Sequence, residues 1–347
     1  MGWKHNAIAQ CYYHSPLPAL VRPFRERYQL SIPSEGGQRR LARRKEATAR
    51  ILYYHRVNDD RNPFLPAITT ALFEQQMRFL SKHYTVVSLA ELTRRLAGGL
   101  ARPVVAVTFD DGYQDNYHNA SPILRKYDLP ATIFLTTGTM DSREPLWFER
   151  LAAGFQKTSK AVLDVEIGPR NRFPLGTEAE RLEANDAVFS IVRTLPDSDR
   201  RQWLEMILQQ LGVEEDGQLK DRMLTWEQAR EMHREKIDFG GHTVTHPFLS
   251  RMTGAQFTWE VAECKRRIEN ELQIQVRHFA YPNGREEDFG PANKGLIRGA
   301  GYTAAVTTIW GTNYPATDLL ELRRGGPWEP SAAQFAYKLD WYQWVNQ

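Results

Sequence analysis

Val104-Val105-Ala106-Val107-Thr108-Phe109-Asp110-Asp111-Gly112-Tyr113 sets an apolar run directly before two adjacent carboxylates and a glycine. A short continuous run of this kind reads as a strand buried on both faces, as in a parallel sheet. The carboxylates then emerge at its C-terminal end. Neighbouring strand residues point to opposite faces, but Gly112 permits a turn that breaks the alternation. Two adjacent anions repel, so a nearby cation or a raised pKa on one of them is expected. An Asp-Asp-Gly surface turn with capping duty would have the same spelling.

The pattern repeats on either side. Ile51-Leu52-Tyr53-Tyr54-His55 precedes it, and short β runs follow at 131–136, Ile237–Gly241, 278–281, 303–307 and 320–323. Helical spacing falls at 72–80, 89–96, 117–127, Gly254–Leu272 and 293–299. Strands spaced by helices give a parallel sheet with crossovers, closed into a barrel, and such barrels place their sites at strand C-termini. Residues 146–230 break the rhythm. Leu146-Trp147-Phe148-Glu149-Arg150-Leu151 opens a helix, and 178–214 is charged, Leu-rich and helical in period. The expected organisation is a basic extension over 1–47 and a barrel over 48–345, interrupted at about 146–230 by a mostly helical insertion.

With 41% hydrophobic and 25% charged residues among 347, the composition is that of a soluble globular chain. No apolar stretch approaches the ~18–20 residues needed to cross a bilayer. The net charge of +3 is unevenly spread: residues 1–50 carry ten Lys/Arg against three Glu, leaving −4 for the rest. Such a leader is either a solvated extension or a peripheral contact with an anionic membrane surface. No nucleic-acid-binding motif is present, so no such partner is expected. Cys11 and Cys264 form no disulfide framework, and no apolar core follows Lys4 and His5 as in a secretory signal. The expected location is cytoplasmic, or peripheral at the cytoplasmic face of the membrane.

A second string carries chemistry: Gly241-His242-Thr243-Val244-Thr245-His246-Pro247. Two imidazoles four apart suit ligands on one helical turn or a tight loop. Thr243 stands where a helical HExxH protease needs Glu, which excludes that class. One Asp with two His makes a three-ligand set for a catalytic divalent metal, with positions open for water and substrate. The other Asp is left to act on that water as a base. His55, ending the first strand, is either a general acid or a half-buried, hydrogen-bonded histidine. Phe279-Ala280-Tyr281-Pro282-Asn283-Gly284 ends another strand in a turn whose N–H groups suit a developing oxyanion, or in a plain turn. Trp310, Tyr314 and Trp328 suit either sugar stacking or rim packing.

Thr108-Phe109-Asp110-Asp111-Gly112, His242-Thr243-Val244-Thr245-His246 and Phe279–Gly284, in that order, resemble the polysaccharide deacetylases of carbohydrate esterase family 4. The resemblance runs from about residue 50 to 325, outside the insertion. It implies an irregular (β/α)7-type barrel that removes N-acetyl groups from amino sugars with a divalent metal, usually zinc. Carried over by position, Asp110 is the general base, and Asp111, His242 and His246 are the metal ligands. A backbone N–H near Asn283 helps hold the oxyanion, with Tyr281 and Arg324 as further substrate-side residues. Many members have an Arg in the third motif that orients the base; here that position is Ala280, and Arg323 or Arg324 is the substitute. No His follows His278 to supply the usual C-terminal acid. Tyr53-Tyr54-His55-Arg56-Val57 resembles instead the poly-N-acetylglucosamine deacetylase subgroup, where the acid comes from the N-terminal side, which implies His55.

The expected protein is thus a metal-dependent hydrolase acting on an N-acetylated glycan or glycan precursor. Two alternatives stand beside it: hydrolysis of a non-sugar amide or cyclic imide, and a catalytically weak glycan-binding subunit.

Overall fold

Seven short strands form one parallel sheet: β1 (Ala49–Tyr54), β2 (Val104–Phe109), β3 (Ala131–Leu135), β4 (Ile237–Gly241), β5 (His278–Ala280), β6 (Ala304–Trp310) and β7 (Leu322–Arg324). Neighbours in the sheet are neighbours in the chain. Gly325, directly after β7, returns to β1: its N–H donates to the Ile51 carbonyl at 2.9 Å and its carbonyl accepts from Tyr53 N–H at 3.2 Å. The result is a nearly closed seven-stranded barrel. The structure, a computed structural model, describes residues 47–141, 145–167, 171–213 and 222–341, with Gln10, Tyr13, Tyr28–Leu30 and Leu41–Arg43.

Strand alternation sorts the core into two sets. Ile51, Val104, Ala106, Phe134, Ala304 and Leu322 cluster with Leu89, Leu92 and Leu96 of helix α2 (Leu89–Gly98), which covers the end where the strands begin. The intervening residues, among them Leu52, Val105, Val107, Ile133 and Phe239, face the surrounding helices. Small residues make room for the large ones. A Cβ on Gly240 would lie 2.5 Å from the Phe134 ring and 2.8 Å from the His278 carbonyl. Gly240→Ala is therefore expected to lower unfolding free energy by about 1–3 kcal/mol. Gly254→Ala, with no heavy atom within 4 Å of the new methyl, serves as the control in the same denaturant titration.

Helix α1 (Thr70–His83) and α2 follow β1, each opened by a hydroxyl cap, Thr69 or Ser88, that accepts an orphan N–H. The helix expected over 117–127 begins instead as a π-turn, Asn116–Ala120, before α3 (Ser121–Lys126). There Asn116 and Asn119 donate to the carbonyls of His55 (2.8 Å) and Val57 (2.7 Å), tying the loop after β1 to this turn.

The insertion comprises α4 (Trp147–Lys157), α5 (Glu178–Val192), α6 (Asp197–Leu211) and a hairpin pairing Val162–Asp164 with Arg172–Pro174. Its own core includes Phe155, Phe173, Val188 and Ile207, joined from the barrel by Phe64, Leu65 and Phe248. The break in sequence rhythm extends to about 230. Helix α7 (Trp226–His233), however, packs Trp226, Ala229 and Met232 into the barrel core and leads into β4. Helices α8 (Gly254–Leu272) and α9 (Pro291–Gly299) follow the reading closely. Helix α10 (Ala332–Trp341) was not anticipated; Phe335, Ala336 and Leu339 seat it on the barrel core. The last strand lies later than 320–323 because Leu319–Glu321 forms a 3-10 turn capped by Asp318, which brings Arg324 into β7.

Most of the basic leader lies outside the described residues. Within them, Tyr28–Leu30 pairs antiparallel with Leu41–Arg43, and Tyr13 stacks on Phe79 at 5.7 Å. Among the described residues, no helix is long and apolar enough to cross a membrane.

Candidate active site

Both carboxylates at the end of β2 are buried, and they divide their partners. Asp111 takes the left-handed backbone region (φ +74), as does Gly112 (φ +84), so the strand alternation ends there. Both aspartates line one cleft of about 420 Å³, together with His55, His242, His246 and Asn283.

Asp110 lies in the fork of Arg324, with Nη1 to Oδ1 and Nη2 to Oδ2 both at 2.7 Å. Arg324 is fully buried; its Nε donates to the Thr307 carbonyl at 2.7 Å and Nη1 also reaches Thr108 Oγ1 at 3.2 Å. Burial alone would raise the Asp110 carboxyl, but the Arg324 charge and its hydrogen bonds outweigh that and hold it below its ordinary value. Of the two candidates to replace the absent motif arginine, Arg324 is the one at Asp110.

Asp111 faces the histidines. Its Oδ1 lies 3.4 Å from Nε2 of both His242 and His246, and it is buried with no hydrogen-bond partner. His242 Nδ1 lies 2.7 Å from the Ala280 carbonyl, so it carries the proton and Nε2 turns a lone pair toward Asp111. Ligand atoms bound tetrahedrally at about 2.0–2.1 Å stand about 3.3–3.4 Å apart, which matches these separations. An orphaned carboxylate oxygen and two converging imidazoles fit a divalent cation. Burial opposes ionisation of Asp111, yet the closeness of His242 and the other nearby histidines takes it well below the usual carboxylate range. Burial pushes His246 down to about 4. For His242 burial acts the same way, but the adjacent Asp111 and the charges of both aspartates win and raise it.

His55 is about one-third exposed, with Nε2 4.0 Å from Asp110 Oδ2. Its ring lies nearly parallel to that of Trp328 (6.2 Å, 26°). Trp328 is half-exposed and lines the cleft, whereas Trp310 is covered by Lys338 at 3.8 Å and, like Tyr314, does not line it. Asn283 takes φ +62 at the turn after β5, and its buried Nδ2 has no partner. No acceptor among the described residues takes its backbone N–H. Tyr281 is a correction to the sequence reading. It is fully buried, stacks on Phe289 at 4.7 Å, donates its hydroxyl to the Leu320 carbonyl and its N–H to that of Val306. Strand alternation turns it to the helices, away from the cleft.

Further residues that carry no assigned role in the motifs stand around the site. Arg56 lies 3.6 Å from Asp115 and 3.9 Å from Glu149, and burial pushes the Glu149 carboxyl up to about 7. From the insertion, Phe148 and Phe189 line the cleft, and Trp147 Nε1 donates to the His246 carbonyl at 2.9 Å. Glu260 of α8 binds the loop between the two histidines. Arg56 stands in the string that carries His55, and Trp147, Phe148 and Glu149 in the one that opens the insertion, but only the third dimension gathers them with Phe189 and Glu260 around the site.

A family model described as polysaccharide deacetylase matches residues 97–304, more than half of the chain. The polysaccharide deacetylase-like protein YxkH of Bacillus subtilis is 23% identical over 300 residues, covering 84% of this chain and 77% of that one. A poly-beta-1,6-N-acetyl-D-glucosamine N-deacetylase of Staphylococcus aureus is 34% identical over 109 residues, 27% of this chain and 38% of that protein. Among solved structures, IcaB from Ammonifex degensii superposes with a TM-score of 0.55 at 21% identity, covering 84% of this chain and 96% of that one.

Proposed function

The chain belongs to the polysaccharide deacetylase family, hydrolases of carbon–nitrogen bonds other than peptide bonds, and from that premise we propose that it removes N-acetyl groups from amino sugars of an exopolysaccharide or its precursor. One observation carries the reading. Two adjacent buried carboxylates have different partners, an arginine for Asp110 and two imidazoles for Asp111. That division suits one base and one metal ligand. The local match to a poly-beta-1,6-N-acetyl-D-glucosamine N-deacetylase supports an N-acetylglucosamine polymer as the substrate class.

In this reading Asp111, His242 and His246 hold a divalent cation, for which Zn2+ fits the donor set. Such an ion supplies Lewis-acid polarisation of the acetyl carbonyl and a more acidic water. Asp110, kept ionised by Arg324, is placed to take the proton from the attacking water. Arg324 also fixes the carboxylate plane, at some cost in basicity. The Asn283 N–H, which no acceptor among the described residues takes, donates a hydrogen bond to the developing oxyanion. His55 gives a proton to the departing amine nitrogen. Trp328 beside His55 offers a flat apolar face to a sugar ring.

Acetate release from N-acetylglucosamine oligomers tests this directly. Release is expected to cease on chelation and to return with added Zn2+. Release that persists after verified metal removal would overturn the metal-assisted reading. A stoichiometrically metal-bound protein inactive on these oligomers but active on a small cyclic imide would overturn the substrate class.

A further inference from the structure

The loop from Gly241 to Pro247 carries both candidate histidine ligands on a backbone that its residues do not favour. Thr243 has φ +71 and His246 φ +55, and a β-branched residue in the left-handed region is an outlier. Such conformations persist only where their surroundings over-determine them. On the barrel side, Thr137 N–H and Gly138 N–H donate to the carbonyls of Thr243 (3.1 Å) and Val244 (2.8 Å). Those bonds hold the carbonyls and leave the amides of Val244 and Thr245.

Glu260 takes those amides. This residue in the first half of α8 is 2% exposed. One of its oxygens accepts from Val244 N–H at 2.7 Å and Thr245 N–H at 2.9 Å; the other accepts from the Thr245 hydroxyl at 2.6 Å. Successive amides converging on one carboxylate form an anion nest. No Lys, Arg or His among the described residues pairs with Glu260. A buried carboxylate without a counter-cation, bonded wholly to the histidine loop, has its charge absorbed by that loop alone. The helix has no need of it, because Thr253 and Gln256 already cap its start. Trp147 of the insertion holds the far end of the same loop through the His246 carbonyl, and Phe148 packs edge-on against the His246 ring at 5.1 Å.

We propose that Glu260 is a positioning residue of the metal site: its carboxylate fixes the turn that brings His242 and His246 to Asp111. The proposal rests on the metal reading above. It concerns hydrogen-bond geometry, so charge at position 260 is dispensable. A glutamine carbonyl can accept both amides while its NH2 donates to the Thr245 hydroxyl.

The test compares Glu260→Gln and Glu260→Ala with wild type in the full chain. Affinity for Co2+ is read by chelator competition, the Co2+ visible spectrum reports ligand geometry, and Tm is taken on the metal-stripped proteins. Glu260→Gln is expected within about threefold of wild-type affinity, with the same spectrum. Glu260→Ala is expected to lose about 10–100-fold, the range for partners that orient metal ligands, and to change the spectrum. Wild-type affinity in a Glu260→Ala protein with lowered Tm would reduce Glu260 to a structural residue and overturn the proposal. Equal impairment of both variants would overturn it too, since charge would then be the cause. If Glu260→Ala does not fold, Thr245→Val removes one of the three bonds; an unchanged affinity there overturns the proposal and a several-fold loss supports it. Wild type that binds no Co2+ overturns the metal reading itself, and is distinguishable from the other outcomes on that ground.

Discussion

Asp110→Asn is expected to lower kcat for acetate release by about 10²–10⁴-fold, the range that a positioned general base supplies. Asn keeps the side-chain volume and one acceptor oxygen for Arg324, but it cannot take a proton from water. Metal stoichiometry should survive, because Asp111 and the two histidines are untouched. The pairing of near-normal metal binding with collapsed turnover separates a base from a ligand. Asp111→Asn is the counter-case, losing metal and activity together. Circular dichroism and metal analysis beside the kinetics make the comparison. An Asp110→Asn enzyme retaining a tenth of wild-type kcat would remove Asp110 from the role.

Arg324→Met should be the most destabilising single change at the site. It leaves a carboxylate that is 2% exposed without the guanidinium that compensates its burial. Breaking a buried pair in this way costs about 3–5 kcal/mol. The pH dependence follows from the sign of the shift. In wild type the Asp110 pKa is held below its unfolded value, so its contribution to stability is fully present above that value and is lost as pH falls through the folded pKa. In Arg324→Met burial is opposed only by the weaker pull of His242 and His55, so the folded pKa is expected to rise above the unfolded one and the penalty to grow with pH. The stability gap between the two proteins should therefore be widest near neutrality and shrink toward pH 4. Denaturant titrations at several pH values, with Asp110→Asn/Arg324→Met closing the double-mutant cycle, measure it. A pH-independent gap would show that lost packing, not the stranded charge, is responsible.

Most of the barrel was legible because its strands are short and mostly apolar, with helical spacing in most of the intervals between them. Val104–Phe109 and Ile237–Gly241 were readable to the residue, since each ends abruptly in polar or glycine-rich sequence. Strands β6 and β7 were less so: the 3-10 turn at Leu319–Glu321 looks apolar and mimics a strand start. Helix α10 has mixed composition that only its docking on the barrel explains. At the site, Asp110, Asp111, His242 and His246 announce themselves by residue type and spacing. Tyr281 misled because adjacency in a string does not say which face of a strand a side chain takes. Glu260 and Trp147 were invisible for a different reason. Their importance lies in which backbone groups they bind, and a mid-helix Glu or a Trp at a helix start has no spelling that says so.

The seam between β7 and β1 has a temporal consequence. Arg324 meets Asp110 across 214 positions of chain, and Gly325 beside it closes the barrel onto the strand that delivers His55. Contacts so distant in sequence are slow to form, because the chain must first be drawn into a loop. The aspartates and histidines can gather on the earlier strands while Asp110 still lacks its guanidinium fork. As the polypeptide emerges during synthesis, the buried Asp110 therefore stays unpaired until β7 has docked on β1. Barrel closure and the pairing of Asp110 with Arg324 are the same event.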